Sequence, residues 1–340
     1  MNKTSIQAWK QLPETTRLNL FEETGMELGI PAMAVEKDWW VVRTLELVFS
    51  SSIAKATVFK GGTSLSKAWG LIDRFSEDID LALDRRFLGV EKPDSEMGTA
   101  QVAKLRRRSV KFIKDFFVPE LAGLFKEAGL GVSLEVPELN PTDPLVIEVI
   151  YPSITQTNAY LVPKVLIEIG SRSLIEPYVY KNFRSFLGEK YNNFSFTDEL
   201  ISIPCVDPQR TFLEKIFLLH EEFQFPEERI KIYRKSRHMY DLEKLMDSSF
   251  GKLALKNQFL YSTIVRHRAR FTPWGGIDYS KHAPRFIKLI PPVGLISEWQ
   301  KDYSAMQRNM FKSPSISFDD VMKRMAILNE RLHAISWDLD

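Results

Sequence analysis

A single cysteine, Cys205, stands in 340 residues. It excludes an internal disulfide and any zinc site resting on several thiolates. Histidine is scarce too: the five are scattered, which argues against a histidine-bound metal centre. No segment approaches the roughly 20 consecutive apolar residues that a membrane-spanning helix needs. The opening MNKTSIQAWKQLPETTR has no apolar run of the kind a secretory leader carries. The expectation is a cytoplasmic protein with no membrane partner. Net charge is only +2, so contact with nucleic acid would come from a local patch and not from a field around the whole molecule. Repeats and low-complexity tracts are missing. What remains is ordinary globular material, 44% hydrophobic and 12% aromatic. At this length it suits one large or two modest domains.

The most informative stretch is Phe59–Leu83, FKGGTSLSKAWGLIDRFSEDIDLAL. It reads as a short apolar strand, a Gly-Gly turn, a helix and a second strand. Asp78 and Asp80 flank Ile79, so on a strand both carboxylates point to one face and Ile79 to the other. Side by side they repel unless a cation sits between them. Mg²⁺ suits such a pair, because it takes few protein carboxylates and completes its shell with phosphate and water. Gly61 and Gly62 let backbone approach a ligand closely. Thr63 and Ser64 offer hydroxyls at a helix N-terminus, where phosphate binds readily. A lone Gly-Gly is often only a turn, and a lone Asp-x-Asp is often an exposed strand edge. Together, with Ser76 just upstream, they form the layout of a nucleotidyltransferase.

Around this stretch the chain changes character twice. Residues 1–50 read as helical, and the triplet Glu36-Lys37-Asp38 before Trp39-Trp40 reads as a solvated face beside buried tryptophans. Short strands are expected at Thr57–Lys60, Ile79–Leu83, Val132–Val136, Leu145–Tyr151 and Val165–Ile169. A long helix over Val102–Lys126 should kink or stop early at Pro119. After Pro204 the pattern is helical, with a second helix over Glu228–Met246. The fold class is therefore α+β, with a boundary near residue 205. Glu168 lies inside an apolar strand and needs a partner. Either it pairs with Arg172, or it is a third carboxylate of the site.

The helical half carries its own charges. Lys215, inside the apolar run PQRTFLEKIFLLH, either snorkels to solvent or binds triphosphate as a point charge. Arg234, Arg237 and Asp241 are spaced to share one helix face. That face is either a surface ion-pair ladder or a charged wall in which Asp241 fixes Lys215 or an arginine; His238 by itself reads as structural. Two basic clusters, Lys104 to Lys114 and Arg266 to Arg270, are either solvated faces or contacts to RNA phosphates.

The run KGGTSLSK with RFSEDIDL resembles the signature of the AbiEii/AbiGii toxin family of nucleotidyltransferases, within the DNA polymerase β-like superfamily. EKDWW, IEIGSRS, RTFLEKI and SRHMYDL are similar to further family segments in the same order, so the resemblance covers most of the chain. It implies a nucleotidyltransferase core, a mixed β-sheet flanked by helices, over residues 1–205 with the N-terminal helices. A C-terminal helical domain over 206–340 would follow, with nucleotide between the two. It implies that Lys60, Gly61, Gly62, Thr63, Ser64 and Ser76 bind nucleotide. Asp78 and Asp80 would hold Mg²⁺, and Lys215 and Asp241 would match the motif lysine and aspartate of the helical half. Glu168 is a weaker match, read as a helper in removing the acceptor's proton. The segment RHMYD departs from the commoner Arg-Asp-x-x-Asp form, with His238 two residues after the serine and no first aspartate. The resemblance also implies an NTP substrate, an RNA acceptor (tRNA above all) and a separately encoded antitoxin. Modification of a protein hydroxyl, or nucleotide binding without turnover, are the competing readings.

Overall fold

A computed structural model describes residues 3–137, 143–156, 162–311 and 315–339. Contacts divide the chain into two compact units, Met1–Gly70 with Arg74–Val206, and Leu71–Asp73 with Asp207–Asp340.

The first unit opens with three helices, α1 (Lys3–Gln11), α2 (Glu14–Leu28) and α3 (Ala32–Val48). Strand β1 (Thr57–Lys60), helix α4 (Gly61–Lys67) and strand β2 (Ile79–Leu83) follow at the positions the alternation predicts. Next come α5 (Thr99–Phe112), α6 (Val118–Ala128), β3 (Ser133–Glu135), β4 (Leu145–Ile150), β5 (Lys164–Gly170), β6 (Tyr178–Phe183), α7 (Phe186–Lys190) and β7 (Ile201–Val206). The seven strands form one mixed sheet in the order β3-β4-β5-β2-β1-β7-β6. β2 lies at its centre, antiparallel to β1 and parallel to β5. Branched and aromatic side chains fill one face, with Phe59, Ile79, Leu81, Ile167 and Ile169 at most 1% exposed. Burial on that scale is the main driving force holding the sheet to its helices.

Several expectations change. Pro119 does not stop its helix: α5 runs on into α6 through a π-helical turn over Ile113–Phe117, which contains the Asp115 carbonyl that the Pro119 ring would crowd in a regular helix. Strands β6 and β7 add to the five expected, and β7 runs through Pro204, a residue that strand interiors seldom hold. The chain there pairs with β6 over six positions, from Tyr178↔Val206 to Phe183↔Ile201, so the ladder survives one missing donor.

The Glu36-Lys37-Asp38 triplet is not a solvated face. All three side chains are buried. Helix α3 is buried on nearly every side and packs against α2, α6, α7 and β5, so it has no wet face to offer. Trp39 stacks on Trp9 at 5.3 Å and Trp40 on Tyr151 at 4.9 Å.

The second unit is helical: α8 (Pro208–Glu222), α9 (Ser236–Met246), α10 (Ser249–Ala254), α11 (Gln258–Phe271), α12 (Ile296–Met310) and α13 (Phe318–His333). Helix α8 starts sharply because the Asp207 side chain accepts from the Gln209 N–H at 2.8 Å and Pro208 takes the first helical position. The helix expected over Glu228–Met246 begins only at Ser236. Arg234, at φ +59°, precedes it in left-handed backbone, so Arg234 does not share a helix face with Arg237 and Asp241. The second basic cluster also splits. Arg268 turns inward to Glu221, its Nε donating at 2.7 Å, while Arg266 and Arg270 stay exposed. Burial raises the Glu221 carboxyl, but bonds from Arg268 and His282 outweigh it and hold the group below its usual range. His220, on the same helix, is pushed down to about 3 by burial and the neighbouring His282.

Candidate functional site

The site is built on β2 and the turn before α4. Asp80 is in register with Lys60 on β1 and with Glu168 on β5, which in turn faces Val146 on β4. Register partners share a sheet face, so Lys60, Asp80 and Glu168 form a row across three adjacent strands. All three are half-buried, on the face opposite Ile79 and Leu81. One step along the same face, Val58 and Ala82 pack with Val206 in a small apolar cluster covered by Ile175. The polar row therefore borders a dry floor. Asp78 precedes the strand and is also half-buried.

The glycine turn is shaped around Asp80. Gly61 has φ +77°, and a Cβ added to it would sit 1.9 Å from Asp80 Oδ2. A Cβ at Gly62 would meet Arg74 Nη2 at 2.7 Å and Ser76 Oγ at 3.1 Å. Only glycine allows backbone this close to the carboxylate and the guanidinium. Gly61→Ala should cost about 1–2 kcal/mol of stability through its left-handed backbone. The added methyl would also displace the Asp80 carboxylate. A melting curve checks the cost; an unchanged melting temperature would show that the turn need not hold this conformation.

Thr63 and Ser64 are not open hydroxyls. Thr63 is 1% exposed, and its Oγ1 donates to the Asp78 carbonyl at 2.5 Å and lies 2.9 Å from Ser76 Oγ. Thr63 and Ser76 thus brace α4 against the segment carrying the aspartates. Ser64 is buried beneath the turn beside Cys205, whose thiol burial pushes up to about 12. The groups that stay half-buried here are Gly61, the carboxylates of Asp78 and Asp80, and the side chains of Lys60 and Glu168. Arg172, offered as a partner for Glu168, has its Nε 3.8 Å from Asp143 Oδ2. Among the described residues, no group of three or more His, Cys, Asp or Glu is placed to hold a metal ion.

In the second unit, Lys215 and Asp241 meet. Lys215 Nζ lies 2.8 Å from Asp241 Oδ2, with Asp241 fully buried and the Lys215 side chain 7% exposed. The exposed ladder is excluded for this pair. His238 joins it, its Nδ1 3.5 Å from Lys215 Nζ.

Sequence reasoning missed Arg74 and Glu77, at 1% and 4% exposure, and the ion pairs that α3 sends to this region. The signal was present in part: charges set between the apolar runs Ala32–Val35 and Trp39–Val42 have to be paired where those runs are buried on all sides.

A seven-stranded mixed sheet with a carboxylate pair beside a glycine turn, set against helices, defines the class of nucleotidyltransferase-fold proteins. The family profile described as nucleotidyl transferase AbiEii toxin, type IV toxin–antitoxin system, matches residues 46–324. The chain belongs to that family. Among solved structures it is similar to MenT4, a nucleotidyltransferase toxin from Mycobacterium tuberculosis H37Rv. The TM-score is 0.51 and the identity 16%, over 96% of this chain and 91% of that chain. At this identity the likeness is one of fold. No curated protein matched the sequence. Among the described residues, no helix is long and apolar enough to cross a membrane.

Proposed function

We propose that the chain transfers a nucleoside monophosphate from an NTP to an RNA acceptor, with tRNA the favoured class, as a cytoplasmic toxin restrained by a separately encoded antitoxin. The observation that carries this reading is the row Lys60–Asp80–Glu168 with Asp78 beside it, set against a glycine turn that no side chain could occupy.

Asp78 and Asp80 suit a divalent cation: they are hard oxygen donors, and the missing side chain at Gly61 is what leaves room for the Asp80 carboxylate. Mg²⁺ held there would offset phosphate charge as pyrophosphate leaves. The remaining roles fall to the chain itself. Backbone N–H groups at Gly61 and Gly62 approach the phosphates. Lys60 adds positive charge next to Asp80. Lys215, fixed by Asp241, is a point charge suited to triphosphate oxygens. The acceptor oxygen attacks the α-phosphorus, the bond from that phosphorus to the bridging oxygen breaks, and pyrophosphate departs with the electron pair. A Glu168 carboxylate oxygen takes the acceptor's proton.

The test is to incubate the purified chain with Mg²⁺ and each labelled NTP in turn, with total RNA and cell extract as acceptors. Label in a tRNA-sized band identifies the nucleotide and the acceptor class. Label in a protein band replaces RNA with a protein hydroxyl. Nucleotide bound without label in any lane would point to binding without turnover and overturn the transfer reading.

A further inference from the structure

Three consecutive charges on α3 are almost wholly removed from water: Glu36 at 2%, Lys37 at 3% and Asp38 at 1% exposure. Charges are costly to bury unless each is paired and hydrogen-bonded. Successive helical residues point about 100° apart, and each of the three reaches a different segment. Glu36 gathers the Ser153 hydroxyl at 2.7 Å, the Ile154 N–H at 2.9 Å and the Thr155 hydroxyl at 2.5 Å. Lys37 Nζ donates to Glu77 Oε2 at 2.5 Å and to the Val162 carbonyl at 3.0 Å. Asp38 takes Lys67 Nζ at 2.8 Å and the Phe186 N–H at 2.6 Å.

Two of those partners bracket the site. Glu77 immediately precedes Asp78. Lys67 is the last residue of α4, the short helix whose first residues are Gly61 and Gly62. Adjacent residues of one rigid helix therefore hold the acidic segment and the far end of the glycine-turn helix. Thr63 ties the same two segments together from the other side through Ser76 and the Asp78 carbonyl. Residues 36–38 lie outside the stretch that the family profile matches.

We propose that Lys37 and Asp38 are positioning residues for the acidic pair. Through Glu77 and Lys67 they fix where the Asp78 carboxylate stands relative to the glycine turn. The proposal rests on Asp78 and Asp80 being the cation-binding pair. A buried ion pair is seldom the most stable filling for its volume, whereas partners behind a metal ligand set its orientation, and their loss typically lowers affinity about 10–100-fold.

The experiment uses Mn²⁺ as the probe, titrated into the full chain and followed by electron paramagnetic resonance, so no acceptor or turnover is needed. The charge-free pair Lys37→Met with Glu77→Gln is compared with the parent and with Asp80→Asn, and circular dichroism confirms folding. The expected result is a folded chain whose Mn²⁺ affinity has fallen about tenfold or more. A folded double variant that binds Mn²⁺ like the parent overturns the positioning role. Should the double variant not fold, the other charge-free pair, Asp38→Asn with Lys67→Met, decides. It removes the second tie without leaving a lone buried charge, and affinity should fall severalfold; an unchanged affinity overturns the proposal. If Asp80→Asn itself leaves Mn²⁺ binding intact, the reading of the acidic pair fails instead, and the two failures are told apart.

Discussion

Asp80→Asn is expected to remove transfer activity while leaving the fold about as stable as before. Asparagine keeps the shape of aspartate and tolerates the strand, so the β1–β2–β5 ladder is undisturbed. The charge is what changes. Asp80 stands in parallel register with Glu168, and like charges side by side on a sheet are destabilising by a few tenths of a kcal/mol or more. Removing one relieves that repulsion and gives up a comparable attraction to Lys60, the antiparallel register partner, so the two largely offset. The same substitution takes away half of the carboxylate pair proposed above to hold the nucleotide's cation. Loss of one preorganised electrostatic contributor typically costs about 10²–10³ in rate, and a fall of about a thousandfold is expected here. The labelled-NTP assay and a melting curve on the same preparation settle it. Retained turnover would remove Asp80 from the chemistry, and a melting point several degrees lower would make it a structural residue.

Lys215→Met should produce the largest loss of stability among single changes near the motifs. Asp241 is fully buried and Lys215 Nζ lies 2.8 Å from it. Breaking a buried pair by removing one partner typically costs about 3–5 kcal/mol, because the remaining charge stays in the interior. The low end applies here, since His238 already stands 3.5 Å from the lysine nitrogen and can move toward the carboxylate. About 3 kcal/mol corresponds to a drop of about 6–12 °C in melting temperature for a unit of this size. Adding Asp241→Asn to Lys215→Met should restore much of the loss, since no charge is then left behind. A double variant as unstable as the single one would show that shape, and not charge, sets the cost. Nucleotide affinity measured on the restored double variant separates the two roles of Lys215. An affinity equal to the parent's would confine the lysine to structure.

The strands at the centre of the sheet were plain in the sequence. Thr57–Lys60 and Ile79–Leu83 form where the alternation placed them, because a short apolar run ending in Gly-Gly has few other conformations open to it. Strand β7 was hidden by Pro204, whose missing N–H normally marks a strand's end; pairing with β6 along its whole length overrides that local rule. The start of α9 was misplaced because nothing in the helical periodicity of residues 228–235 announces the left-handed backbone at Arg234. Thr63 and Ser64 looked like ligand-facing hydroxyls from their place in the turn. Their burial follows from how α4 packs against β1 and β2, which local sequence does not specify.

By itself the sequence determined what depends on near neighbours. The two-residue spacing of Asp78 and Asp80, the Gly61–Gly62 turn and the resemblance they support all rest on groups a few bonds apart. Only the tertiary structure decided which charges meet. Glu168 comes beside Asp80 through sheet register, Glu77 is held by Lys37 from 40 residues away, and Lys215 is buried against Asp241. The reason is physical. Spacing along a chain fixes the direction of a side chain, but the energy of a charge depends on whether water or a partner surrounds it. Folding alone brings that partner or takes that water away.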